Sequence, residues 1–217
     1  MDAIRDMNGI PVMIYADRGT ENSIVRDIQC VMRWHHNDPF QGLSSFQYGS
    51  STRNTRIERF WRNLRCMCGQ TFMDLFKGMS DVGMLDTADF IHTECIRFCF
   101  MKLINTELGR VAQHWNQHRI RSSRNAQGPF GKPDVLYFQS EIFGARDQKL
   151  PLPAVEQLDA LEEEYCSSPL PNGVGPDFET LGFHIIEQYA LQYPPNTVDE
   201  ATELFCRITQ TVQQIQQ

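Results

Sequence analysis

The feature that most constrains the fold is a long amphipathic stretch without proline, FIHTECIRFCFMKLINTELGRVAQHWNQ at residues 90–117. Such a pattern is typical of a helix, and residues 69–115 as a whole are predicted to be mostly helical, with a break near residues 78–86. By contrast, only residues 12–16 are predicted to form a buried strand, with a short strand at 43–48 as an additional candidate. The chain is therefore expected to be mostly helical, with little sheet.

Shorter helices are predicted on both sides of this stretch, and each begins or ends at a recognisable signal. A helix stop at Asn8-Gly9 and N-cap candidates at Asn22 or Ser23 mark two of them. The predicted ranges are 1–8, 22–36, 54–68, 154–165 and 197–216. Between the second and third helices lies a long loop, residues 37–55, which is rich in Gly, Ser and Asn, and long loops in compact domains are often functional.

Charge is distributed unevenly along the chain, whose net charge is −7. Residues 1–150 contain 19 basic and 16 acidic residues, a net +3, whereas residues 151–217 contain 1 basic and 11 acidic residues, a net −10. This contrast predicts two domains, a mildly basic body at 1–150 and an acidic helical C-terminal extension at 151–217. The body could contact a polyanion, which the extension would repel.

The N-terminal residues, the length of the apolar runs and the cysteine content together indicate the cellular location. The first residues lack the basic and apolar regions of a secretory signal, and no apolar run is long enough to span a membrane. The seven cysteines are odd in number and scattered, which favours reduced thiols over a disulfide framework. We therefore expect a nuclear or cytoplasmic protein that is neither secreted nor bound in a membrane.

Asp17 is the first candidate functional residue. It follows the short apolar run at residues 12–16 and precedes a turn at Gly19, in the stretch MIYADRGTEN. A carboxylate at the end of a buried strand, followed at once by glycine, is a common place to hold a metal ion. The alternative is an ordinary turn residue or helix N-cap.

Glu58 is the second candidate, in TRNTRIERFWRNLR at residues 52–65. It lies among arginines at every third position, so a carboxylate that could hold a cation neighbours guanidiniums that could hold a nucleic-acid backbone. The alternative is a Glu58–Arg62 pair on a solvated helix face. The apolar stripe predicted to be buried on this helix consists of Ile57, Phe60, Trp61, Leu64 and Met67.

A third segment, WNQHRIRSSRNAQGPFGKPDVLYF at residues 115–138, is basic. Arg119, Arg121 and Arg124 form a candidate DNA-binding patch, and a solvated loop is the alternative. Trp115 is predicted to lie in the core together with Trp61, with stacking of Trp115 on a base as the alternative.

Taken in order, these segments resemble the catalytic core of retroviral-type integrases and related transposases. Asp-x-Gly-x-Glu-Asn at 17–22 is similar to the segment with the second catalytic Asp of the family, and Asn-x-x-Ile-Glu-Arg-Phe at 54–60 to the helix with its catalytic Glu. Trp-Asn-x-x-Arg at 115–119, followed by Gly-Lys-Pro at 131–133, resembles the segment that closes the core. The likeness covers about residues 8–140 and is closest to integrase-core proteins of animal genomes that derive from transposons.

The resemblance implies an RNase H-like fold and a two-metal phosphoryl transfer in DNA integration. It assigns Asp17 and Glu58 as catalytic metal ligands for Mg²⁺ or Mn²⁺, which carboxylate oxygens suit. It also implies a DNA-binding surface of arginines, and the candidates are Arg53, Arg56, Arg59, Arg62, Arg119, Arg121 and Arg124.

The chain departs from the family pattern before Asp17. The family uses three carboxylates, and the first lies on the first strand, far upstream of the second. Because only 16 residues precede Asp17, we expect an N-terminally truncated core: a partial RNase H-like α+β fold, mostly helical, that lacks its first strands. Metal binding should then be weak and catalysis incomplete.

Alternatives remain open at this point. The chain could be a fragment of an enzyme or a domesticated, non-catalytic module that binds nucleic acid or protein, alone or as a homo-oligomer. His114 with His118, and Cys95 with Cys99, have a helical spacing that could bind zinc, although ordinary packing is the prediction for both pairs.

Overall fold

The computed structural model describes residues 1–20, 22–49, 55–122, 129–166 and 170–215. Helices dominate the described residues, so the predicted mostly helical α+β class is confirmed at that level. The helices are α1 (Asp2–Met7), α2 (Asn22–Met32), α3 (Thr55–Leu64), α4 (Gln70–Asp81), α5 (Phe90–Gln117), α6 (Pro133–Phe138), α7 (Val155–Tyr165), α8 (Pro176–Tyr189) and α9 (Val198–Ile215). Among them, no helix combines the length and apolar character that a membrane span requires.

Short strands form two small sheets in the described part of the chain. The strands are β1 (Ile10–Pro11), β2 (Ile14–Ala16), β3 (Phe46–Tyr48) and β4 (Lys149–Leu150). β1 pairs with β4 in antiparallel fashion, whereas β2 pairs with β3 in parallel, with Ile14 opposite Phe46 and Ala16 opposite Tyr48. The predicted strand at 12–16 and the candidate strand at 43–48 therefore pair with each other.

The helix that begins with α3 continues into α4 through a π-helical segment, Arg65–Gly69. A π turn contains an extra residue, so it rotates the faces of the helix before and after it relative to each other. Capping explains the start of the longest helix, α5, because the Asp89 carboxylate accepts hydrogen bonds from the backbone N–H groups of Ile91 and His92.

Contacts group the chain into two compact units, each built from two separate segments. Unit 1 consists of Met1–Arg59 and Arg121–Ser168, and unit 2 consists of Phe60–Ile120 and Pro169–Gln217. The predicted division into domains at residue 150 stays a prediction.

Unit 1 has a small apolar core to which α2 and α7 contribute. Its buried members are Ile10, Ile28, Met32, Leu158 and Leu161. Ion pairs also connect the acidic helix α7 to α1. Nη2 of Arg5 lies 2.7 Å from Oδ1 of Asp159 and 2.8 Å from Oε2 of Glu162.

Unit 2 has a larger and continuous apolar core centred on α5. Phe98, Cys99 and Phe100 of α5 are buried, and α8 and α9 contribute Ile185 and Phe205, which are 0% exposed. Glu94 is buried here as well, and its carboxylate accepts hydrogen bonds from Arg97 and from the backbone N–H of Gly175 at the start of α8. The C-terminal helices are therefore part of this core, and α8 is a helix that the sequence analysis missed.

The buried stripe predicted on α3 is wrong for three of its five members, since only Phe60 and Leu64 lie on the packed side. Ile57, Trp61 and Met67 are 52%, 55% and 49% exposed, and the half-buried residues of α3 are Phe60, Asn63 and Leu64. The packed face is therefore rotated from the predicted stripe towards Asn63. Periodicity identifies the residues that share a face, but the neighbouring elements decide which face packs.

Candidate metal and nucleic-acid site

Asp17 lies at the carboxyl end of β2, where the parallel pair ends. Gly49, which follows β3, donates its backbone N–H to the carbonyl of Ala16 at 2.8 Å. The half-buried Asp17 carboxylate accepts hydrogen bonds at Oδ1 from Asn22 Nδ2 at 2.8 Å and from the Gly19 N–H at 3.3 Å. These bonds orient the carboxylate, and its Oδ2 has no hydrogen-bond partner among the described residues.

Gly49 is required by close packing at this end of the sheet. A Cβ atom at residue 49 would lie 1.4 Å from the hydroxyl oxygen of Tyr15 and 1.8 Å from its Cζ. The Tyr15 ring therefore occupies the space that any side chain at residue 49 would need, which fixes the path of the chain next to Asp17.

Glu58 is exposed in the first turn of α3, where a negative charge is favoured by the helix dipole. The alternative Glu58–Arg62 pair does not form among the described ion pairs. Glu58 and Asp17 belong to the same unit, but the described residues contain no group of three or more His, Cys, Asp and Glu side chains placed to hold a metal ion. Their pairing as metal ligands stays a prediction.

The candidate arginines are exposed where the structure describes them. Arg59 and Arg62 extend from α3, and Arg56 Nη2 donates to the Pro129 carbonyl at 2.7 Å. Arg119 and Arg121 follow the end of α5 and are exposed too. Two further candidates, Arg53 and Arg124, lie outside the described residues.

A buried arginine that the sequence analysis did not single out supports the strand before Asp17. Arg33 is fully buried, and its Nη2 donates to both carboxylate oxygens of Asp38 at 2.6 and 2.7 Å, while its Nε donates to the Val12 carbonyl at 3.2 Å. One turn earlier, Gln29 Nε2 donates to the Pro11 carbonyl at 2.8 Å. These bonds connect α2 to the segment that leads into β2.

The Arg33–Asp38 contact differs from the other described ion pairs of unit 1 because its arginine is completely buried. Hydrogen bonds from the Arg33 guanidinium lower the pKa of the Asp38 carboxyl, against a smaller opposing effect of desolvation. The sequence signal was present but weak: Gln29 and Arg33 are polar residues that recur at helical spacing beside the apolar Ile28 and Met32.

The residue pairs considered for zinc have different environments. Cys95 and Cys99 are buried in unit 2, with their Sγ atoms 4.0 Å apart, and burial raises the pKa of the Cys99 thiol. A raised pKa disfavours the thiolate that zinc binds. His114 is exposed, and His118 is half-buried with its ring centroid 4.4 Å from that of Trp115.

Unit 2 also contains an open pocket of about 510 Å³. It lies along α5 and α8 and is lined by polar side chains, including Lys102, Asn105 and Glu179, and by the rings of Phe183 and Tyr193. None of the predicted site residues that the structure describes lines this pocket.

Comparison with known protein families gives a match. A protein family described as integrase core domain matches residues 1–142, which is more than half of the chain and includes Asp17, Glu58 and Arg119. No curated protein and no solved structure matches the chain. The resemblance drawn from the sequence motifs is therefore confirmed.

Proposed function

Because the chain belongs to the integrase core domain family, we propose that it acts in DNA integration or a related polynucleotidyl transfer through Asp17 and Glu58. The observation that carries this proposal is the placement of Asp17. Its carboxylate is oriented by Asn22 and Gly19 at the end of a parallel strand pair, and one oxygen is left without a partner among the described residues.

Asp17 and Glu58 would hold Mg²⁺ or Mn²⁺. Both offer hard carboxylate oxygens, and both lie outside the described ion pairs, so the donor set fits such a cation. When bound, the ion would stabilise negative charge on phosphoryl oxygens and lower the pKa of an attacking water. Asn22 would act as a positioning residue, since it holds the Asp17 carboxylate by one of its oxygens.

We further propose that the arginines bind the DNA backbone. Guanidinium groups bind phosphate through paired N–H donors, and such contacts position a protein on DNA without reading its sequence. The exposure of Arg59, Arg62, Arg119 and Arg121 supports this role. Arg56 would contribute less, because it already donates to the Pro129 carbonyl.

The fold that we propose for the site is a partial RNase H-like core. A short parallel pair with Asp17 at its carboxyl end, followed along the chain by a helix with Glu58, supports that assignment. The motifs assign two metal ligands, Asp17 and Glu58, and with two carboxylates we expect weak binding of the cation and no complete strand transfer. The alternative is a domesticated module that binds nucleic acid or a protein without catalysis.

Mn²⁺ binding followed by electron paramagnetic resonance tests the ligands directly. We expect weak binding by the unmodified chain, and a further loss of about tenfold or more in Asp17→Asn and in Glu58→Gln, as for other losses at metal sites. The matched control is Glu141→Gln, an exposed acid within the family match, which should leave binding unchanged. Equal Mn²⁺ binding by the unmodified chain and the three variants would contradict the proposed metal site.

Strand-transfer and nicking assays with Mg²⁺ or Mn²⁺ test the second part. No activity is expected from the unmodified chain. Activity that Asp17→Asn or Glu58→Gln abolishes would support the site but contradict incomplete catalysis, and would show that a third ligand comes from elsewhere.

A further inference from the structure

Trp61 is an exposed aromatic residue on a helix rich in arginine. Its side chain is 55% exposed, although the apolar periodicity of α3 predicted burial. Arg65 lies one turn after Trp61, so its guanidinium neighbours the indole on the helix surface, whereas Arg62 follows Trp61 directly and extends from the adjoining face of the helix. An exposed tryptophan beside exposed cations is complementary to a partner that offers both an apolar face and negative charge.

Trp61 is the outermost member of a row of rings in unit 2. Its ring centroid lies 5.5 Å from that of Phe60, which lies 5.3 Å from Trp115, and Trp115 lies 4.4 Å from His118. We call these residues the ring row. Phe60, Trp115 and His118 are half-buried. Phe60 contacts the indole directly, while more than half of Trp61 remains exposed.

Cations without a described acidic partner accompany the ring row. Arg62, Arg65 and Arg119 are exposed, and none of them forms an ion pair with a described residue. Arg65 is held in place by a hydrogen bond from its Nε to Gln70 at 3.1 Å. Their charge is complementary to a polyanion.

Single-stranded DNA matches both requirements. Its unpaired bases present π-faces that stack on aromatic side chains, and its phosphates bind guanidiniums. In a duplex the bases are stacked on one another, so their faces are not available in the same way. An apolar protein partner would use the indole but would leave these guanidiniums without counter-charges.

We propose that the ring row is a stacking platform for unpaired bases of single-stranded DNA. In this proposal Arg62, Arg65 and Arg119 bind the phosphates of the same strand. Trp61 provides the stacking face, Phe60 packs against its ring, and Trp115 packs against Phe60. This inference rests on the proposed binding of DNA and adds to it a preference for unpaired bases. It also gives Trp61, three residues after Glu58, a role that metal ligation does not require.

Fluorescence anisotropy with the full chain tests the platform. The probes are a labelled single strand of about 12 nucleotides and the duplex of the same sequence. Trp61→Leu should weaken binding of the single strand by about tenfold and leave binding of the duplex unchanged, whereas Trp61→Phe, which keeps a ring, should retain most of the affinity. The matched control is Trp34→Leu, because Trp34 is 60% exposed but lies in unit 1.

A salt titration separates stacking from charge. Trp61→Leu should leave the slope of log affinity against log salt concentration unchanged. Arg62→Gln should reduce this slope, because binding with one phosphate contact fewer releases fewer counterions. Circular dichroism and thermal melting should show that all variants fold like the unmodified chain.

The outcomes distinguish this inference from the proposed function. If the unmodified chain binds DNA and Trp61→Leu binds the single strand as well as before, the platform is wrong and the DNA-binding function stands. Equal losses on both probes also overturn it. Dimerisation that Trp61→Leu abolishes, with DNA binding unchanged, would assign the face to a second copy. Binding of neither probe by the unmodified chain would overturn both proposals.

Discussion

The two compact units are stabilised in different ways. Unit 2 encloses a continuous core of apolar side chains from α5, α8 and α9, several of which are completely buried. Unit 1 has a smaller apolar cluster and, in addition, fully buried polar side chains at Gln29, Arg33 and Ser45. The unit that contains both candidate metal ligands is therefore the one whose completely buried side chains include polar ones. Hydrogen bonds fix directions, which a site needs, whereas apolar burial mainly supplies stability.

Polar contacts in unit 1 reach the backbone of the strand that leads to Asp17. Gln29 and Arg33 hold the carbonyls of Pro11 and Val12, and Arg33 holds Asp38. Because buried polar groups are costly when they lose a partner, this arrangement tolerates few alternative positions of the strand. In unit 2 apolar burial is therefore the main contribution to stability, whereas in unit 1 buried hydrogen bonds also fix the position of the strand that leads to Asp17.

The largest expected effect comes from removing a buried ring in unit 2. Phe205→Ala should lower the free energy of unfolding by about 3–5 kcal/mol, because it leaves a cavity where Phe205 is 0% exposed. Hydrogen exchange by mass spectrometry should show lost protection in α5 and α9. In unit 1, Leu158→Ala should instead affect α2 and α7, at a cost of about 2–5 kcal/mol.

If either variant reduces protection from hydrogen exchange equally in both units, the expected difference between the units is contradicted. Such a result would show that the two cores open as one cooperative unit. Urea unfolding followed by circular dichroism provides the free energies for both proteins.

A smaller effect is expected where α8 packs on α5. A Cβ atom at Gly182 would lie 2.7 Å from Cζ of Phe98, so Gly182→Ala should destabilise the protein by about 1–3 kcal/mol through overpacking. The matched control is Gly109→Ala in α5, where a new Cβ would meet nothing within 4 Å. That substitution should stabilise the helix by about 0.5–1 kcal/mol. Urea midpoints that move in the same direction for both variants would contradict the tight contact.

The smallest effect is the pH dependence of unit 1. The pKa of Asp38 is lower in the folded protein than its ordinary value, because Arg33 stabilises the carboxylate. Its contribution to stability is therefore complete above the unfolded pKa and is lost as the pH falls through the folded pKa. Asp38→Asn should show a smaller loss of protection in α2 on acidification than the unmodified chain. An unchanged acid response would mean that this contact is not what orders unit 1.

Much of the fold follows from local sequence patterns. The proline-free stretch predicted α5 because its apolar spacing persists over many turns, and the short apolar run predicted β2. Helix α8 was missed because it begins within the Pro- and Gly-rich segment PNGVGPD, although Pro176 is well suited to a first helical position.

The packed face of α3 could not be predicted in the same way. Ile57, Phe60 and Trp61 are all apolar, so the sequence does not tell which of them meets another element. The role of Arg33 depends on the carbonyl of Val12, which is 21 residues away in the chain. For the candidate site, the motifs identified Asp17 and Glu58, but the hydrogen bonds that orient Asp17 required coordinates.

Each unit is assembled from two separated segments, and this has a consequence for the order of events on the ribosome. Arg5 must wait for Asp159, which is 154 residues later. At about 5–20 residues per second, this interval is roughly 8–30 s. During that time the apolar surface of β1 has the cover that Ile28 and Met32 supply but lacks that of Leu158 and Leu161, so a nascent chain of this protein is expected to depend on chaperones until its second segments emerge.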